Sequence, residues 1–463
     1  MSEILLVGAG AVHLVTALGL SRAGYRVRVL DAAPDPRSTH DWRLHGATHG
    51  GADARMVTAT EATCHNLHAC STHADGALVH AVRDGGWAVG DPGALGTPAR
   101  VWCEAFADLS EVEGQRIADG IHRSNLHGLE LWRNLRRELP WLFEPAGWCD
   151  GVLRTYEVPS KLRRAESLER ELGTLRRVLT AEALAWDYPT YANAVADGAV
   201  HGALWVDGFT VQVHALCERL IDELESRGVA ITWQRPVRRI LRDAAGRVTG
   251  VETDDGVERS MHYGVSAGVG MAGLMGEAVH GMAGVWLTIS SPDGATHAAK
   301  IRVQPGRAIE EVNVIPARDT AGRSVLHLGA GFAYLGDCSA GHRLDLDHPD
   351  VQQLFRELED IAGRYYPDST RRARTDGSLR SSRRACVRPW TADGRSLFGV
   401  HTTADDGWLV ATGGHNTGGF TQAPVVAEAV LAQLEGRGLS RVDEPAQVHS
   451  PQALNLRTCD SMV

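Results

Sequence analysis

Two glycine-rich stretches, one near each end of the chain, hold the residues whose spacing can do chemistry. Gly8-Ala9-Gly10-Ala11-Val12 follows a short apolar run at residues 4–7 and opens a helical pattern that Gly24 closes. A second apolar run over residues 25–30 ends on Asp31. Strand, glycine loop, helix, strand and acid in this order form a dinucleotide-binding arrangement. Its glycines admit a pyrophosphate to the helix N-terminus, and its acid accepts hydrogen bonds from a ribose. The third glycine position is occupied by His13, so helix and strand are expected to pack slightly wider there. Near the other end, residues 408–412 read as a buried strand. Gly413, Gly414, His415, Asn416, Gly418 and Gly419 follow, then a helical pattern over residues 423–434. Glycines without Cβ let backbone approach a ligand closely, and N–H groups at the start of the helix suit an electron-rich partner.

Other candidate groups are weaker. Residues 43–56 carry His45, His49, Gly50, Gly51 and Arg55 directly after the first nucleotide-binding unit; such a loop suits either a cofactor wrap or a solvated connection. Residues 64–73 offer Cys64, His65, His68, Cys70 and His73. Zinc requires convergent ligands, usually with a second distant pair, and no well-spaced second pair follows, so no metal is expected.

The elements that must position these groups point to an α/β chain, α+β overall. Apolar spacing predicts amphipathic helices over residues 121–139, stopped by Pro140, and 213–227, ended by Gly228. A strand at residues 229–233 leads to Val237, and Asp254-Asp255-Gly256 marks a hairpin. Short strands at residues 285–290, 300–303, 310–315 and 324–328 predict a mostly antiparallel second sheet, and residues 351–365 another helix before Pro367. The expected organisation is a Rossmann-type nucleotide-binding domain from residues 1–62, 205–270 and 375–440. It is interleaved with a substrate domain from residues 117–204 and 271–374, with an insertion at 63–116 and a tail at 441–463.

The 463 residues suffice for two domains with cores of their own. A net charge of −10 argues against a nucleic-acid surface. Lys161 and Lys300 are the only lysines, so lysine chemistry has few places to occur. The eight cysteines lack framework spacing. With no basic-then-apolar leader and no run of membrane-spanning length, a reduced cytoplasmic setting is expected.

In their order along the chain, GAGAV at 8–12 with Asp31, GVAITW at 228–233, VSAG at 265–268, CVRPWTADGRSLFG at 386–399 and GGHNTGGFTQAP at 413–424 resemble the D-amino-acid-oxidase-like flavoproteins: glycine oxidase, sarcosine oxidase, D-amino-acid dehydrogenase and relatives. The resemblance spans nearly the whole chain and implies FAD. Its ADP half would lie on residues 8–31 and Val237, its flavin against residues 45–55 and 413–421. The implied cofactor contacts are Gly8, Gly10, Ala11, Val12, Asp31, His49, Arg55, Val237, Gly268, Cys386, Gly414, His415, Asn416, Gly418, Gly419 and Thr421. Arg388 matches the arginine that grips a substrate carboxylate, a role suited to a forked guanidinium. Cys386 matches the cysteine tethered to the flavin in the sarcosine-oxidase branch; relatives with glycine there show that a thioether is not required.

His327 falls where that branch has an oxygen-activating lysine. A histidinium would supply similar charge, while the change equally suits slow reaction with oxygen and another electron acceptor. Thr421 replaces a carboxylate-binding lysine, which argues against sarcosine as substrate. The resemblance therefore implies oxidation of a C–N bond in a small amine or amino-acid-like substrate by hydride transfer, in specialised metabolism, with no side-chain base required. The alternatives are an oxidase or dehydrogenase of a larger biosynthetic intermediate, or a flavin-binding electron-relay subunit.

Overall fold

A computed structural model describes residues 2–39, 41–44, 56–67, 76–292, 297–304, 308–319, 321–338 and 344–437. Two large sheets organise them. The first has six strands, in the order Leu397–Thr402, Trp408–Gly413, His262–Val265, Glu3–Val7, Arg26–Leu30 and Ala230–Thr232. All pairings in it are parallel except that between the first two strands. Both faces are covered, as a parallel sheet requires. Ile4 and Leu6 pack with Leu14, Leu18, Leu216, Leu220 and Val426 of the helices Ala11–Arg22, Val213–Ser226 and Gly419–Leu434. Leu5 and Val7 face the other way, onto Ile240, Val248 and Val251 of a three-stranded antiparallel sheet. Alternate residues of one strand thus enter two cores, which is why it reads as a continuous apolar run.

The second sheet has nine strands. Arg384–Thr391 forms one edge, then Val279–Ser290, Ser324–Gly336, Glu311–Arg318, Ala298–Arg302, Cys149–Tyr156, Gly202–Thr210 and Met56–Thr58, with Leu175–Thr180 also paired to Gly202–Thr210. It is antiparallel apart from the pairing of Ala298–Arg302 with Cys149–Tyr156. Three of its strands, Met56–Thr58, Gly202–Thr210 and Arg384–Thr391, come wholly or partly from segments expected with the nucleotide-binding part. The chain therefore crosses between the sheets at the ends of these strands.

The helix expected at 121–139 spans Glu111–Glu138. It starts earlier because the Ser110 side chain accepts the Glu113 N–H as a cap, and Ile117 and Ala118 bury against Ala62 and Cys64. This helix braces the C-terminal glycine loop. Trp132 Nε1 donates to the Phe420 carbonyl at 3.0 Å. A Cβ on Gly128 would stand 2.3 Å from the Thr421 carbonyl oxygen, so only glycine permits the approach. In the stretch expected as an insertion, Thr97–Ala107 is a helix whose Trp102 donates to the Ala278 carbonyl, fastening it to the nine-stranded sheet. No helix among the described residues is long and apolar enough to cross a membrane.

Candidate functional site

A cavity of about 620 Å³ lies where the ends of the two sheets meet. On the nucleotide-binding side, Gly8 has φ +100°, and a Cβ there would stand 2.4 Å from the Ser266 carbonyl oxygen. The loops after the strands Glu3–Val7 and His262–Val265 touch at this point, and only glycine lets them. Gly10 caps the helix Ala11–Arg22, and a Cβ on it would meet no protein atom within 4 Å, so the space beside it belongs to the cavity. Asp31 Oδ2 accepts the Ala9 N–H at 2.5 Å and Oδ1 the Ala33 N–H at 2.7 Å. Burial pushes its carboxyl pKa up, and the two backbone donors oppose that shift. Asp31 thus holds the glycine loop in place while lining the cavity. His13 is accommodated by a second glycine: its Nδ1 lies 3.0 Å from the Gly8 oxygen, and its Nε2 would be only 3.5 Å from a Cβ on Gly264.

The opposite wall is the strand Arg384–Thr391 with the loop at residues 413–419. Asn416, at φ +53°, accepts the Thr391 N–H on Oδ1 at 3.0 Å and donates its own N–H to Pro389 at 3.2 Å. Gly414, at φ +56°, would press a Cβ to 2.4 Å from Thr391 Cγ2. These contacts clamp loop to strand and leave polar atoms aimed inward. His415 is 8% exposed, neither ring nitrogen has a partner among the described residues, and burial pushes its pKa down to about 4. Asn416 Nδ2 is likewise unpartnered. Buried polar atoms normally find partners. Here they face a cavity that also receives the N-termini of two helices, at Gly10 and Gly419. Anion-accepting helix ends together with unpartnered donors and acceptors fit FAD, with its pyrophosphate and its polar flavin ring.

Arg388 lies on the wall between this cavity and a second pocket of about 40 Å³, formed with Trp286, Glu311, Asn313, Phe332 and residues 329–331. Its Nη2 donates to the Ala283 carbonyl at 3.1 Å and to that of Gly331, and the guanidinium lies 5.1 Å from the centre of the Phe332 ring. These contacts fix the head group in place. Behind the pocket Lys300, fully buried, donates to Glu61 at 2.7 Å and Glu311 at 2.9 Å, and Arg302 pairs with Glu311. The adjacent cations hold Glu311 well below the usual carboxylate range despite its burial.

Of the residues expected to hold the cofactor, Gly8, Gly10, Ala11, Val12, Asp31, Val237, Gly268, His415, Asn416 and Gly419 line the large cavity, together with Arg388. Gly414 and Gly418 shape the loop from behind, Gly418 against Ala62. Thr421 is buried outside the lining, with its carbonyl turned to Gly128. Cys386 is buried in the same strand as Arg388 and does not line the cavity; Val387, Arg388 and Pro389 do. His327 is also outside the lining. Its Nδ1 lies 2.9 Å from Thr288 Oγ1, and burial, with His214 and Arg384 nearby, pushes its pKa down to about 4. It is a neutral imidazole at neutral pH and does not supply the positive charge expected of a histidinium. His45, His49, Arg55, His68, Cys70 and His73 lie outside the described residues, and no metal-binding group of side chains occurs among the described ones.

Sequence reasoning missed Trp233, Arg235, Trp286, Glu311 and Asn313 as lining residues. The first two lie within four residues of Val237, so proximity to that position was an available signal. Glu311 and Asn313 share one face of a predicted strand through their spacing of two, but which face looks onto the site is set by tertiary packing.

The family model for DAO, FAD-dependent oxidoreductases, matches residues 3–434. The chain belongs to this family and is an FAD-dependent oxidoreductase. Among solved structures it is similar to glycine oxidase from Geobacillus kaustophilus, at 16% identity and TM-score 0.63 over 95% of this chain and 96% of that one. Iminodiacetate oxidase from Chelativorans sp. aligns at 16% identity and TM-score 0.61 over 97% and 100% of the two chains. The deglycating fructosamine oxidase of Aspergillus fumigatus, Amadoriase II, aligns at 15% identity and TM-score 0.63 over 96% and 89%. At these identities the likeness establishes the fold. No curated protein sequence matches the chain.

Proposed function

We propose that this enzyme oxidises the C–N bond of a small amine that carries a carboxylate. The observation behind the proposal is the position of Arg388, a fixed guanidinium on the wall shared by the cofactor-sized cavity and the small pocket. A forked cation there recognises a carboxylate bidentately and orients the carbon next to the amine toward the larger cavity. The solved structures named above include enzymes whose names denote oxidation of glycine, iminodiacetate and fructosamine, all of them amines. FAD, when bound, supplies the two-electron acceptor for the hydride.

The chain's own residues bind, orient and exclude water. Asp31 is occupied by the loop N–H groups, and His415 remains an uncharged hydrogen-bonding group above pH 4. Neither is poised as a strong base, so the substrate is taken up as the free amine. Arg388→Leu tests the assignment with amino acids and their decarboxylated amines. KM for the carboxylated member of each pair should rise roughly 100-fold, about 2.7 kcal/mol, while KM for the decarboxylated member changes little. An unchanged KM for the amino acids would remove Arg388 from this role.

A further inference from the structure

The small pocket beside Arg388 has a second polar wall. Glu311 and Asn313 stand two residues apart on the strand Glu311–Arg318, so both side chains face the pocket. Glu311 is held as a carboxylate, and its described partners are one donor on each oxygen: Lys300 Nζ on Oε1 and Arg302 on Oε2. An ionised carboxylate has about four acceptor sites, so acceptor capacity remains on the side of the pocket. On the other wall, Trp286 Nε1–H is a buried donor without a partner among the described residues. Its ring lies beside the Arg388 head group: a Cβ on Gly284, between them, would meet Arg388 Nη2 at 2.8 Å and the Trp286 ring at 3.2 Å. The fixed Arg388 guanidinium and a locked acceptor therefore line one pocket. The space between is about 40 Å³, enough for one small polar group and little more.

We infer that Glu311, with Asn313, selects substrates that carry a hydrogen-bond donor, a hydroxyl or an ammonium group, on a carbon near the carboxylate held by Arg388. This deepens the amine-oxidation reading by naming the substrate class, and it rests on Arg388 as the carboxylate anchor. A methyl group in the same place would strip solvent from Glu311 without replacing its hydrogen bond. A site built to pair with a polar group strongly disfavours an analogue that lacks it.

The test is binding to the FAD-loaded protein, which does not require turnover. Three carboxylates of one skeleton are titrated against flavin absorbance: 3-methylbutanoate, 3-hydroxybutanoate and 3-aminobutanoate. The hydroxyl and ammonium ligands should bind at least about 10-fold tighter than the methyl ligand, and whichever of the two is tighter identifies the donor. Glu311→Gln should reduce the preference to about 3-fold or less. Asn313→Leu, which removes the Asn313 Nδ2–Glu61 hydrogen bond but no member of the Lys300–Glu311–Arg302 ion pairs, should also reduce it. Equal affinity of the three for the parent protein, or an undiminished preference in a folded Asn313→Leu variant, would overturn the inference. Amine-dependent bleaching of the flavin, followed separately, reports on the amine-oxidation reading, so the two can fail independently.

Discussion

The two sheets build their halves of the site by different means. The six-stranded sheet contributes backbone: glycines at special dihedrals, helix N-termini, and an acid occupied with holding its own loop. The nine-stranded sheet contributes side chains from strands far apart in sequence: Trp286, Glu311, Asn313 and Arg388, brought together by cross-strand register. A backbone site is specified locally, whereas a side-chain site depends on where each strand lands. A cofactor shared across a family can be held by the first kind, and substrate choice can change within the second without disturbing it.

The sharpest way to break this comparison is at two glycines of one loop. Gly8→Ala forces a Cβ onto the Ser266 carbonyl at positive φ. It should cost the apoprotein itself on the order of 1–3 kcal/mol, visible as a lower urea midpoint and poor FAD retention. Gly10→Val points into open cavity, so the apoprotein should keep its urea midpoint while FAD affinity falls by about 100-fold, roughly 2.7 kcal/mol. If both variants were equally unstable without FAD, the separation of loop-holding from ligand-facing glycines would be wrong.

On the side-chain half, Arg388→Lys keeps the charge but loses the fork and cannot make all the carbonyl contacts. KM for carboxylated amines should rise by roughly 10-fold, less than for Arg388→Leu. A third comparison uses pH. His13 and His415 beside the cavity, and His327 in the nine-stranded sheet, each have a folded-state pKa pushed down to about 4 from 6.5. Between those values the unfolded chain binds protons that the folded chain refuses. Stability should therefore fall as pH drops from 6.5 toward 4, and this contribution should flatten below 4. His327→Gln should shallow the fall measured by urea midpoints; an identical pH profile would show that His327 does not have the depressed pKa. The smallest effect is expected at Cys386. It does not line the cavity, so acid precipitation should release FAD into the supernatant from both the parent protein and Cys386→Ala. Flavin retained on the precipitated parent protein would show a thioether.

The same contrast explains what the sequence made legible. Gly8, Gly10, Asp31 and the loop around His415 could be read because strand, glycine turn and helix follow one another within a few residues. Arg388 was found through a motif block. Glu311 and Asn313 lay within a predicted strand, but no local pattern tells which strand face meets Arg388. His327 was placed by position along the chain; its burial beside Thr288, which removes its charge, is a product of packing between strands. Thr421 belonged to the right loop, yet its carbonyl packs on Gly128 of the helix Glu111–Glu138 and the residue does not line the cavity.

The central claim is tested most directly by an anaerobic visible spectrum of the FAD-loaded protein, titrated with small carboxylated amines. Bleaching of the flavin band by such an amine, lost in Arg388→Leu at the same concentration, is the predicted result. A flavin band that no carboxylated amine bleaches, or that bleaches equally in the Arg388→Leu protein, would contradict it.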